Sequence, residues 1–394
     1  MSRFSLAVCT RRPIVAAQIA SAVVALATLA ACSQGSATAG TASSGSPGGS
    51  SAFAQKVAAD VAAATAPQTP QTNPVPSTGP TPVTGKKIVI IPCSAAVEGC
   101  ARPARSAMQA ATAIGWSATI VDPAGAGGPS AAIERAISSG ANGIILNSID
   151  AAAVQGDLQK ARAAGISVVC DMCGNTGDLI QAVVPPLPEN EHAGYLLGEQ
   201  AYVLAEQRFH SPPKFIVMSD NEFATVNARV AGVKKFIDDC KAAGAGCELV
   251  AEGQYLAGEI STTAPARVVS LVQSNPNYNV LFAGYDASLN FFAQALKQAG
   301  LADPSKAFGL SIDADVANTE MIRNNGFQAA SAGVAMARVG YGLIDDLNRL
   351  FNKQPIVSQG VTVKIINGQN VPPTGQWDGD FNATPLYLKL WGKG

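Results

Sequence analysis

Histidine is the scarcest residue in this 394-residue sequence, and His192 and His210 are the whole supply. Catalysis by a histidine base and a histidine-rich metal site are therefore thinly provisioned. Charge is scarce as well. Only 14% of residues are Asp, Glu, Lys or Arg, and 27 basic side chains nearly cancel 28 acidic ones. No basic run is available to neutralise phosphates, which argues against general attraction to nucleic acid. The chain also lacks a nucleophile elbow, an H-E-x-x-H helix and a phosphate loop, so it reads as a non-enzyme that needs no cofactor and no metal. Glycine-rich residues 123–128 miss dinucleotide-loop spacing, and Asn147-Ser148 rather than an acid close the next strand, so they read as a turn.

Apolar residues, by contrast, make up 47% of a length sufficient for two domains. Residues 1–31 have the layout of a secretory signal: Arg3, Arg11 and Arg12 precede an apolar run that closes in small residues. The end, Leu29-Ala30-Ala31-Cys32, resembles the lipobox of bacterial lipoproteins, whose cysteine is acylated. A membrane-spanning helix is the rival reading, since the run approaches the minimum span. Residues 32–85 turn to Gly, Ser, Thr, Ala, Pro and Gln, a composition expected to form a disordered tether in which residues 52–64 are transiently helical. The chain is thus expected in the cell envelope, exported and held to a membrane by lipid on Cys32.

Six cysteines remain beyond Cys9 and Cys32, in three close pairs. In an exported chain these read as disulfides. Cys240 and Cys247 bracket a turn and pair with each other. For Cys93, Cys100, Cys170 and Cys173 local bridges are the first choice, with a crossed Cys100–Cys173 pairing left open.

From Lys86 onward, short β-branched runs such as Ile88–Ile91, Gly143–Leu146 and Ile166–Cys170 alternate with helical stretches that stop at glycine. Apolar runs of this length suit strands covered on both faces, joined by parallel crossovers. The pattern breaks at Pro185, Pro186 and Pro188, then restarts. The expected fold is α/β: two doubly wound parallel-sheet lobes in series, with ligands outside the carboxyl ends of the strands.

The serial order of several segments carries a resemblance: Ile88-Val89-Ile90-Ile91, Gly140-Ala141-Asn142-Gly143-Ile144-Ile145-Leu146-Asn147, Ala163-Ala164-Gly165-Ile166 with Asp171, Arg229-Val230-Ala231-Gly232, Ala283-Gly284-Tyr285-Asp286 and Gly309-Leu310-Ser311-Ile312-Asp313. Over residues 86–354 the chain resembles the ribose- and galactose-type periplasmic binding proteins of ABC importers. The resemblance implies the type I fold, with a three-stranded hinge between an N-terminal lobe (86–188 plus 334–360) and a C-terminal lobe (189–333 plus 361–394). It also implies a monomer that captures a small molecule, docks on a membrane permease and binds no nucleic acid. By position it makes Asp171, Arg229 and Asp313 ligand contacts. The chain departs from the family pattern where Met172 replaces an arginine, where Tyr285 stands for an asparagine, and where residues 95–100 lack an asparagine and paired aromatics. A ribose-like ligand is therefore not implied.

Polyhydroxylated ligands need fixed acceptors and donors, because a buried polar group without a partner costs about 1–3 kcal/mol. Glu98, Asp171, Asp286 and Asp313 are candidate acceptors, Arg229 a candidate donor, and Phe223 and Tyr285 candidate stacking faces. Asp286 and Asp313 have a plainer reading as helix caps. A sugar or polyol is the expected solute. An amine-bearing or less polar solute is second, because the candidate acids outnumber Arg229. A ligand sensor feeding a membrane receptor is the alternative to import. Arg229→Ala is expected to abolish binding without changing apo stability.

Overall fold

The computed structural model describes residues 47–394 apart from Thr176; the signal, Cys9 and Cys32 lie outside the described residues. Helix α1 (Pro47–Thr65) is followed by an extended segment and then the first lobe: β1 (Lys87–Ile91), α2 (Glu98–Ala113), β2 (Ser117–Ile120), α3 (Pro123–Ala126), α4 (Pro129–Ser138), β3 (Gly143–Asn147), α5 (Gln155–Ala163), β4 (Ser167–Asp171) and β5 (Ala182–Val183). Its sheet runs β2-β1-β3-β4-β5, with parallel pairing throughout. In β1, Ile88 and Ile90 face α2 and a later helix, whereas Val89 and Ile91 face α4 and α5. Period-2 alternation between two apolar layers explains why the run is apolar at every position.

The second lobe holds α6 (Leu187–Phe209), β6 (Lys214–Asp220), α7 (Ala224–Ala242), β7 (Glu248–Tyr255), α8 (Ala264–Ser274), β8 (Val280–Ala283), α9 (Asp286–Gln298), β9 (Phe308–Asp313), α10 (Val316–Arg323) and β10 (Gln328–Val334). The chain crosses back as α11 (Met336–Phe351), which packs on α2 and β4, and returns as β11 (Val363–Asn367). The second sheet runs β11-β10-β9-β8-β6-β7, with only β11 antiparallel. Helices α6 and α7 cross so closely that a Cβ on Gly194 would overlap the Arg229 carbonyl, and one on Gly232 the Glu191 carbonyl. Arg229 is thereby pinned to the start of α6.

Two expectations are corrected. Residues 47–85 are not tether: α1 packs on α6, with Phe53 against Tyr202 and Phe236. The proline-rich stretch after α1 runs along α11. Proline supplies carbonyls but no donors, and α11 answers them. Arg338 donates to the carbonyls of Asn73 (2.9 Å) and Pro74 (2.6 Å), Asn348 to that of Pro80 (2.7 Å), and Arg349 to that of Thr78. The second correction concerns the tail. Helix α12 (Thr384–Leu390) belongs with the first lobe, not the second. Tyr387 and Trp391 pack on Tyr341 of α11, and the Trp391 indole donates to Asp345 at 2.9 Å.

All three cysteine pairs are local. Cys93–Cys100, Cys170–Cys173 and Cys240–Cys247 are bonded, with Cα separations of 5.8, 6.2 and 5.7 Å.

Candidate functional site

Strand β1 lies between β2 and β3, and β6 between β7 and β8, so each sheet changes direction at its first strand. Loops at the carboxyl ends of these strands border a cavity of about 310 Å³ walled by both lobes. The first lobe contributes Cys93, Ser94, Val97 and Gly99 from the loop clipped by the Cys93–Cys100 bridge, with Ser148 after β3 and Met172 after β4. The second contributes Phe223 to Arg229 at the start of α7, Ala257 to Ile260 after β7, Tyr285 after β8 and Asp313 at the end of β9. Ser148, Met172 and Asp313 hold positive φ of 49°, 47° and 125°, unfavourable for side chains other than glycine. Such backbone persists only where the surroundings over-determine it, and it clusters at functional walls.

Arg229 is 3% exposed, and its guanidinium is committed. Nε donates to Asn190 (3.2 Å), Nη1 to the Gly284 carbonyl (3.0 Å), and Nη2 to Asp313 Oδ1 (3.0 Å) and the Met172 sulfur (3.4 Å). Burial raises the Asp313 carboxyl above the usual range, while Arg229 and Arg102 pull it back. A Cβ at Gly99 would lie 2.9 Å from Asp313 Oδ2, so glycine there lets the first lobe approach that carboxylate. Phe223 and Tyr285 also line the cavity, and the Tyr285 hydroxyl donates to Asp220 at 3.1 Å.

Three candidates do not line it. Asp171 is 1% exposed beneath the wall; it accepts from Asn147, and its Oδ1 has no partner among the described residues. Burial, reinforced by the charge of Asp313, holds its carboxyl well above the ordinary range against the pull of Arg229. Asp286 is fully buried and accepts from Ser311, Ser331 (3.0 Å), Gln328 (3.3 Å) and the Asp315 N–H (2.8 Å), and burial pushes it up to about 7. It opens α9 rather than capping it, since the cap position is Tyr285. Glu98 is half exposed and pairs with Arg105 at 2.7 Å in the first turns of α2. The acidic excess expected in the cleft is thus absent from its lining, and the case for an amine-bearing solute weakens with it.

Sequence reasoning missed the contacts that join the lobes. Arg102 of α2, 5% exposed, donates to the Asp313 carbonyl (2.6 Å) and pairs with Asp315 (2.9 Å) and Asp378 (3.1 Å). Asp150 of the first lobe accepts the Ala224 N–H at the start of α7 (2.8 Å), and the Thr225 hydroxyl donates to the Met172 carbonyl. These bonds describe a closed cleft. The available signal was an arginine among small buried residues (Ala101, Pro103, Ala104, Ala107), a position that demands a partner.

The model for the periplasmic binding protein domain matches residues 88–355. No curated protein matches the chain. Among solved structures, the chain is similar to a glucose–galactose binding protein from Geobacillus stearothermophilus, with 18% identity, TM-score 0.62, and 73% of this chain and 99% of that one covered. It is equally similar to an ABC transporter solute-binding protein from Actinobacillus succinogenes with bound D-allose (18%, TM-score 0.62, 73% and 99% covered). Another is a solute-binding protein from Bacillus halodurans with bound myo-inositol (18%, TM-score 0.62, 73% and 96% covered). At these identities the likeness is one of fold.

Proposed function

The chain belongs to the periplasmic binding protein domain family, and on that premise we propose that it is the solute-capturing subunit of an ABC importer. It closes two lobes around a small sugar or polyol and releases the solute unaltered. The observation that carries this reading is the cavity of about 310 Å³ with walls from both lobes, at the small end of the range for ligand sites. The solutes bound by the Actinobacillus and Bacillus neighbours support the class. The Arg102–Asp315 pair supports closure, because it links α2 of the first lobe to the start of α10 in the second.

The protein works as a monomer, tethered by lipid on Cys32. Metabolic labelling with an alkyne fatty acid tests the tether: the label is incorporated by the wild type and lost in Cys32→Ala. Among the described residues no helix is long and apolar enough to cross a membrane. Import is tested by uptake of a radiolabelled sugar or polyol that binds in calorimetry. Deleting the gene should abolish that uptake; a solute that binds while its uptake is unchanged would make the chain a sensor instead.

A further inference from the structure

The cavity wall holds few polar groups, and most are spent on the protein itself. Arg229 satisfies Asn190, Gly284 and Asp313; the Thr225 hydroxyl serves the Met172 carbonyl, and the Tyr285 hydroxyl serves Asp220. What remains on the wall for a solute is Asp313 Oδ2, the Ser148 hydroxyl and the Ser94 hydroxyl, whose oxygen already accepts the Ala96 N–H at 3.2 Å. Most of the remaining wall is apolar side-chain surface from Val97, Met172, Phe223, Val226 and Ile260 with the ring of Tyr285, beside the Cys93–Cys100 bridge and the backbone of Gly99, Ala257 and Gly258.

A hexose carries a hydroxyl on nearly every ring carbon, and each one buried without a partner weakens binding by about tenfold. Replacing such a hydroxyl by hydrogen or methyl removes that loss and adds apolar burial. We infer that the captured solute is a deoxygenated or alkyl-substituted sugar or polyol, with an apolar face set against Val97, Met172, Val226 and Ile260 and its remaining hydroxyls on Asp313, Ser94 and Ser148. This rests on the cavity being the solute site proposed above. Met172 is the informative residue: its thioether takes an N–H of Arg229 at 3.4 Å, a donor that would otherwise be open to the solute.

The experiment incubates the mature chain with an equimolar library of hexoses, hexitols and inositols together with their deoxy and O-methyl counterparts. Retained members are identified by native mass spectrometry. The expected result is enrichment of deoxy or O-methyl members by about tenfold over their parents. Equal or better retention of the parents overturns the inference, as does retention of no member at all. Gly99→Leu, which drives a side chain toward Asp313, separates the two readings. If it leaves retention intact, the cavity is not the site and the functional assignment fails. If it abolishes retention of a fully hydroxylated hexose, the site stands and only the solute class is wrong. Ile260→Gln, a partly exposed position after β7, serves should Gly99→Leu not fold, and it should shrink the deoxy preference toward unity.

Discussion

Two of the buried arginines, one from each lobe at the cleft, are satisfied in opposite ways. Arg229 of the second lobe finds Asn190, Gly284 and Asp313 within its own lobe and reaches across only to the Met172 sulfur. Arg102 of the first lobe finds Asp313, Asp315 and Asp378 beyond its own sheet. On opening, Arg229 is expected to keep its partners within the second lobe and Arg102 to lose Asp313 and Asp315. The second lobe is thus a preformed half-site, and the first a cover docked by the Arg102–Asp315 pair together with the Asp150 and Thr225 hydrogen bonds.

The largest expected effect comes from Arg229→Ala. Removing it strands the Asp313 carboxylate in the interior and costs about 3–5 kcal/mol, visible as a lower melting temperature even without solute. This reverses the expectation from sequence that apo stability would be unchanged; Arg229 still lines the cavity. Arg102→Ala breaks the comparison if it behaves the same way. The expected outcome is a small change in melting temperature with solute affinity lowered about tenfold or more, because only the closed state loses a contact. Cys93→Ser with Cys100→Ser frees the cover loop. The cost is roughly 2–3 kcal/mol if the loop-closure account holds, read by chemical denaturation.

The smallest effect is on pH dependence. Burial pushes Asp220 up to about 6, Asp286 to about 7, and Glu199 and Asp346 to about 8. Acids raised above their unfolded values bind protons more tightly when folded, so their stabilising contribution is complete near pH 4 and is lost as pH rises through 6–8. Exposed acids with lowered values, such as Asp60 and Asp239, act oppositely below that range. The melting temperature should therefore peak at about pH 5 and fall toward pH 8. Glu199→Gln should flatten part of that fall.

Most of the element order from 86 to 354 was legible because the central strands are apolar runs covered on both faces and most helices stop at glycine; the two-residue β5 and the crossing strand β10 were not. Such signals are local. The order of residues 47–85 was not legible, because a composition of Pro, Gly, Ser and Ala is neutral until Arg338, Asn348 and Arg349 meet its carbonyls from far along the chain. Phe223, Arg229, Tyr285 and Asp313 were placed near the cavity by motif order. Asp171, Asp286 and Glu98 were not separable from them, since a carboxylate in sequence does not reveal which donors it faces. Arg102 carried only the signal of an arginine among small residues, because its partners are set by how the lobes dock.

The most direct test of closure on a solute is a distance between the lobes. Spin labels at Gln159→Cys on α5 and Lys297→Cys on α9, both exposed, report it by pulsed electron resonance. With the retained solute bound, a single short distance is expected; without it, the distribution should extend to longer values. One distribution, unchanged by solute, would contradict the account.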